Sequence, residues 1–428
     1  MKKIPAILLS LALTLGLAAC GGSGTSTAPA SQAPASQAPA SQAPASQAPA
    51  SQAPASQAPA SQAPASQGTP VKMGFIFLHD ENMTYDLNFM NGAKEACEAA
   101  GVEYILKTNI PEGQECYETA MDLVDQGCNI IFADSFGHED YMIQAAMECP
   151  EVQFCHATGT KAHTQNLANY HNAFASIFEG RYLAGIAAGL KLQEMIDQGK
   201  ITADQAKMGY VGAFTYAEII SGYSSFFLGA RTVVPQVTMD VTFTGSWGDL
   251  ALETEACQKL IDSGCVLISQ HADTMGAPST CEKNGVPNVS YNGSTMAAGP
   301  NTYIICSRIN WAPYFTYIID CVRSGQAIVT DYSGDVSTGS VQLGELNEAV
   351  AAPDTAKILD EVAAQLASGD RHVFDVNTFT VNGASVETYT VEGKEVVSDG
   401  YFHESEVMSA PYFDLQIDGI NLLDTNFG

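Results

Sequence analysis

Val71-Lys72-Met73-Gly74-Phe75-Ile76-Phe77-Leu78 is an apolar run bounded by polar residues, and it reads as a buried strand. A helical pattern follows from about Leu87 to Ala100 and is closed by Gly101. Glu103-Tyr104-Ile105-Leu106 is a second strand, and 114–126 a second helix ended by Gly127. Cys128 to Ala133 is a third strand that stops at Asp134. The pattern then returns. Lys72-Met73-Gly74-Phe75 is echoed by Lys207-Met208-Gly209-Tyr210, and Leu123-Val124-Asp125-Gln126-Gly127-Cys128 by Leu260-Ile261-Asp262-Ser263-Gly264-Cys265. Both echoes keep their order and nearly the same offset, which indicates a duplicated βαβ lobe. Strands alternating with helices predict an α/β fold with two doubly wound parallel-sheet lobes joined by a hinge.

Ligands of parallel sheets bind beyond the carboxyl ends of the strands. Two facing lobes would line one cleft with those ends: His79 to Asp86, Asp134-Ser135-Phe136, Phe214 to Glu218, Ser246-Trp247-Gly248-Asp249, and Gln270 to Asp273. The set is rich in aromatics and acids. Rings stack on a flat heterocycle, and carboxylates accept hydrogen bonds from hydroxyls and ring N–H groups. It has no cluster of Arg or Lys and does not suit phosphate. The whole chain agrees, with 18 Lys+Arg against 47 Asp+Glu and a net charge of −29. Such a surface repels nucleic acid but tolerates a neutral ligand.

Outward from the lobes, the N-terminal part reads differently. Met1-Lys2-Lys3, an apolar run to Ala19 and small residues before Cys20 form a secretory signal over 1–19. Leu17-Ala18-Ala19-Cys20 resembles a bacterial lipobox, which implies acylation of Cys20 and anchoring in the membrane. About eight copies of Ala-Pro-Ala-Ser-Gln follow, ending near Gln67. With no aliphatic residue larger than Ala they cannot bury a core, so 20–69 is a linker that holds the folded part off the membrane. The solute-binding part is 70–428, with lobe 1 over about 70–175 plus 305–428 and lobe 2 over about 176–304. The stretch from about Arg371, with turn signals at Asn382-Gly383 and Glu392-Gly393, reads as a hairpin or meander that finishes the first lobe.

Ten cysteines remain after Cys20, without Cys-x-x-Cys or zinc-like spacing. Cys97, Cys257 and Cys321 sit in helical patterns beside apolar neighbours, so most are read as small buried hydrophobes. His79, His138 and His271 fit no metal spacing and read as polar loop residues. Neither Gly-x-Ser-x-Gly nor a phosphate-binding Gly-x-x-x-x-Gly-Lys-Ser/Thr is present. An acid pair such as Glu139-Asp140 leaves a nucleoside-processing enzyme as one alternative, and a surface sensor or adhesin as another.

These residues resemble the basic membrane protein family, the nucleoside-receptor branch of the type I periplasmic-binding-protein-like lipoproteins. The likeness is carried by Glu179 to Gly189, Gly222 to Gly229 with Ala230-Arg231, Ser246 to Asp249, Gln270 to Asp273, Trp311 to Tyr314, and Gly334 to Leu343. It implies a lipid-anchored, extracytoplasmic binding protein that feeds a nucleoside, of the purine class, to an ABC permease. By the same likeness Tyr85 and Phe214 stack on the base, Asp86 meets its edge, Asp134 holds the ribose hydroxyls, and Asp273 is a further cleft acid. Trp247 and Asp249 belong to a matched block. His79 to Met83 departs from the glycine-rich loop usual in the family, which bears on the ligand more than on the fold. No catalytic residue, metal or cofactor is implied.

Overall fold

The computed structural model of the chain describes residues 69–425. The expected signal, Cys20 and most of the repeat linker lie outside them. In chain order the first half is β1 (Lys72–Ile76), α1 (Thr84–Ala100), β2 (Glu103–Lys107), α2 (Gln114–Asp125), β3 (Ile130–Ala133), α3 (Glu139–Glu148), β4 (Gln153–Ala157), α4 (Ala162–Gln165) and β5 (Tyr170–Ala175). The second is α5 (Ile177–Asp197), β6 (Lys207–Gly212), α6 (Ala217–Val233), β7 (Thr238–Phe243), α7 (Leu250–Asp262), β8 (Leu267–His271), α8 (Gly276–Asn284), β9 (Asn288–Tyr291) and β10 (Tyr303–Ile309). Then come α9 (Ala312–Ser324), β11 (Asp331–Gly334), β12 (Val341–Leu343) and α10 (Thr355–Ser368).

One sheet runs β11-β5-β4-β3-β1-β2 and the other β12-β10-β9-β8-β6-β7, so the strand order of the first is repeated in the second. The echoed sequences explain why. In both lobes the echoed Leu and Cys close a helix: Cys128 N–H bonds Leu123 C=O at 3.0 Å, and Cys265 N–H bonds Leu260 C=O at 3.1 Å. The glycine between them takes a left-handed φ, +84° at Gly127 and +90° at Gly264, as a helix stop of this type requires. The echoed strand glycines make room for the same leucines. A Cβ on Gly74 would lie 2.8 Å from Leu123 Cδ1, and one on Gly209 3.0 Å from Leu260 Cβ. Each pair thus fixes how closely its helix sits on its sheet.

Helices cover both faces of each sheet. Phe89 of α1 and Phe315 of α9 pack with Phe132 of β3 on one face of the first, and Leu123 and Met142 cover the other. Phe226 of α6 and Leu183 of α5 pack on one face of the second sheet, and Cys257, Leu260 and Cys281 cover the other. Three segments cross between lobes: 175–177, 309–312 and 334–341.

The C-terminal stretch differs from its expected place. Two short hairpins form, β13 (Thr390–Val391) with β14 (Lys394–Glu395) and β15 (Val397–Ser398) with β16 (Tyr401–Phe402). Left-handed φ angles at Asn382-Gly383 and Glu392-Gly393 make the two turns that the sequence marks. The final strand β17 (Ile420–Leu422), however, runs parallel to β7 on the second sheet, and Phe374, Phe402 and Phe413 join the second lobe's core. The first lobe is therefore not finished by this segment. Its apolar side chains follow α5, α6 and the open edge of β7, where Phe374 stacks on Phe413 at 4.0 Å and packs on Phe178 at 5.3 Å.

All ten cysteines of the described residues are free and buried. Burial pushes the thiols of Cys97 and Cys155 up to about 12, which removes the reactive thiolate at neutral pH. The folded protein should react slowly with an aromatic disulfide reagent, and these ten thiols should titrate once denaturant is added. Rapid reaction of several thiols without denaturant would contradict this packing.

Candidate ligand-binding site

The carboxyl ends of the two sheets enclose a cavity between the lobes. From the first lobe come Leu78 and His79 after β1, Tyr85 and Asp86 in the first turn of α1, Ser135 and Phe136 after β3, and Thr158 after β4. From the second come Glu218 at the start of α6, Trp247 after β7, His271 and Asp273 at β8, and Tyr291 and Asn292 at β9. No Lys or Arg is in this lining.

Two bonds tie the lobes across the cavity. Thr84 Oγ1 of α1 donates to Asp273 Oδ1 at 3.4 Å, and Asn88 Nδ2 donates to the Asn292 carbonyl at 2.7 Å. Asn292 Nδ2 in turn donates to Asp273 Oδ1 at 3.0 Å. Phe136 and Tyr216 also stack across the gap, 5.6 Å apart. These contacts define a closed arrangement.

The acids are held by donors. Asp86 accepts from His79 N–H at 2.7 Å, and its second oxygen lies 3.3 Å from His79 Nδ1. That carboxylate raises the His79 pKa above its ordinary value. Asp134 accepts from Leu78 N–H at 3.1 Å. Burial, and then the nearby charge of Asp86, push Asp134 well above the usual carboxylate range. Burial also pushes Asp273 up to about 8. His271 lies 3.3 Å from Glu218 through Nε2, and burial lowers its pKa. The hydroxyl of Tyr291 has no hydrogen-bond partner among the described residues. The cavity therefore offers acceptors and donors beside flat rings.

Four of the expected residues line this cavity: Tyr85, Asp86, Trp247 and Asp273. Asp134 sits one layer behind. It is fully buried, and its carbonyl accepts the Tyr85 hydroxyl at 2.8 Å, so it fixes the ring instead of lining the space. Phe214 is also outside the lining and packs on Tyr216 at 5.1 Å and on Trp247 at 5.0 Å. Asp249 caps α7, accepting from the N–H groups of Ala251 and Leu252 at 2.9 Å each, and borders a separate open groove. An acid before a helix is satisfied by the helix itself.

Thr158, Tyr291 and Asn292 also line the cavity, although their strand ends carry no acid that marks them in the sequence. Both Thr158 and Asn292 have φ of +62°. For the β-branched Thr158 that conformation is uncommon, and such strain collects at functional sites, whereas Asn adopts it readily. His79 and His271, read as plain loop residues, line the cavity against acids.

An acid whose pKa is higher folded than unfolded weakens the fold as pH rises between the two values. For Asp273 that window runs from about 4 to about 8. Asp273→Asn keeps the Oδ1 acceptor and removes the charge. In ligand-free protein the variant should therefore gain stability over the wild type as pH rises through this window, by a few kcal/mol on the order of magnitude expected from the shift. Denaturant melts at several pH values measure the difference. A pH-independent difference would contradict the burial of that charge.

Comparison with known proteins agrees with this geometry. The family described as ABC transporter substrate-binding protein PnrA-like (Bmp) matches residues 77–368. A purine-binding protein of Brucella abortus is 28% identical over 71% of this chain and 83% of its own length. A Haloferax volcanii protein, TsgA13, named for glucose binding by an ABC transporter, is 30% identical over 55% of this chain and 56% of its own. A solved ABC transporter solute-binding protein of Conexibacter woesei superposes with a TM-score of 0.58 at 18% identity, covering 71% of this chain and 98% of that one. With the family match spanning most of the chain and the cleft standing between two such lobes, this protein belongs to the Bmp family of PnrA-like ABC transporter substrate-binding proteins.

Proposed function

We propose that this protein binds a nucleoside of the purine class in the cavity between its lobes and delivers it to an ABC permease from the outer face of the membrane, anchored through Cys20. The observation that carries the ligand reading is the lining: Tyr85, Trp247 and Tyr291 beside Asp86, Asp273 and Asn292, with no Lys or Arg. A purine is flat, uncharged and rich in ring acceptors and N–H donors, and its ribose adds hydroxyls. A phosphate would find no Lys or Arg to pair with here. The Brucella relative supports the reading.

In this mechanism Tyr85 and Trp247 flank the base. Asp86 and Asp273 take hydroxyls or ring N–H groups, and Asp134 and Phe214 hold the rings from behind. Ligand entry requires the contacts of Thr84, Asn88 and Phe136 across the cleft to open, and the closed faces are what the permease reads.

Calorimetry against adenosine, inosine, guanosine, adenine and glucose should give binding of the nucleosides and none of the hexose, with no free base released on incubation. Tyr85→Ala should weaken binding by about 1–3 kcal/mol, as lost base stacking does. Tyr85→Phe, which keeps the ring, should cost far less. Glucose binding without nucleoside binding, or turnover to free base, would overturn the proposal. For the anchor, Cys20→Ala should move the chain from the membrane pellet to the soluble fraction; a variant that still pellets would contradict it.

A further inference from the structure

We infer that the cleft has a second, outer compartment, built partly by the C-terminal segment, which takes a flat, uncharged substituent on the bound nucleoside. The inference rests on the nucleoside reading of the inner cavity. The segment lies beyond the family match, which ends at residue 368. Yet Ala410 and Pro411 share one open space with Phe136 and Thr160 of the first lobe and Tyr216 and Trp247 of the second. Phe136 and Trp247 also line the inner cavity, so the two spaces adjoin along those rings.

The outer wall is held in place from both sides. Ser409 donates from its N–H and its hydroxyl to Asp331 Oδ1, both at 3.0 Å, which ties the segment to β11 of the first sheet. Tyr412 N–H donates to the buried Glu404 at 2.9 Å, and Phe413 stacks on Phe374 in the second lobe's core. Pro411 is therefore a positioned wall and not a loose tail.

The lining selects the chemistry. Phe136 and Tyr216 are 44% and 37% exposed although they stack on each other, so each leaves ring surface uncovered. Thr160 adds a hydroxyl, Glu218 is the one charged residue in the lining, and no Lys or Arg is present. A phosphate chain is repelled by such a wall, whereas an aromatic or other flat neutral group stacks on it.

The test uses adenosine, N6-benzyladenosine and 5′-O-benzyladenosine with the full chain. The space is filled from opposite sides by Thr160→Phe and Ala410→Phe, and thermal melts check that each variant is folded. Wild-type protein should bind at least one benzyl compound as tightly as adenosine or better. Each filled variant should weaken that compound by about tenfold or more, in line with lost stacking, while adenosine changes by about twofold or less. Rejection of both benzyl compounds by a wild type that binds adenosine would overturn the outer compartment alone. Equal loss of adenosine and its derivative in a folded filled variant would do the same. Failure of wild-type protein to bind adenosine would overturn the reading of the inner cavity, and this inference with it.

Discussion

The buried carboxyl of Asp273 is the interaction on which the cleft depends. It comes from the end of β8 in the second lobe, yet one of its donors, Thr84, opens α1 in the first. Asn292 bonds the same oxygen and is itself tied to Asn88 across the gap. Apart from the three chain crossings, the lobes part only by breaking a few bonds such as these. Each of those bonds is buried, so parting the lobes exposes all three groups together.

The electrostatics follow from the same placement. A net charge of −29 and a cavity rimmed by acids would be hard to keep closed if every carboxyl were ionised. Burial keeps Asp134 and Asp273 protonated more readily than usual. Behind the Tyr291 wall lies Arg181, fully buried, its guanidinium 2.7 Å from Ser269 Oγ and 5.3 Å from the Tyr291 ring centre. Burial is the largest influence on the neighbouring His271 and Tyr291, and this buried cation acts to lower the pKa of both.

Much of the fold was legible because its two halves solve the same packing problem with the same residues. Gly74 with Leu123 and Gly209 with Leu260 mark a helix pressed on a strand, and the repeat of that pair is what a duplicated lobe looks like in sequence. The position of the C-terminal segment was not legible. Its apolar residues match either lobe in composition, and only the free edge of β7 decides where Ile420 pairs. The site was legible at the level of strand ends, not of side chains. Asp249 and Asp273 both follow strands, but one turns to cap a helix and the other turns into the cavity. Thr158 and Asn292 were silent because their left-handed backbone, not their chemistry, brings them to the wall.

The central claim is that the inner cavity holds an uncharged, purine-type nucleoside. The most direct measurement is mass spectrometry of the small molecules released when protein purified without denaturation is unfolded. The account predicts a nucleoside in stoichiometric amount, carrying no phosphate. Release of a hexose or a phosphorylated nucleotide in that amount would contradict it.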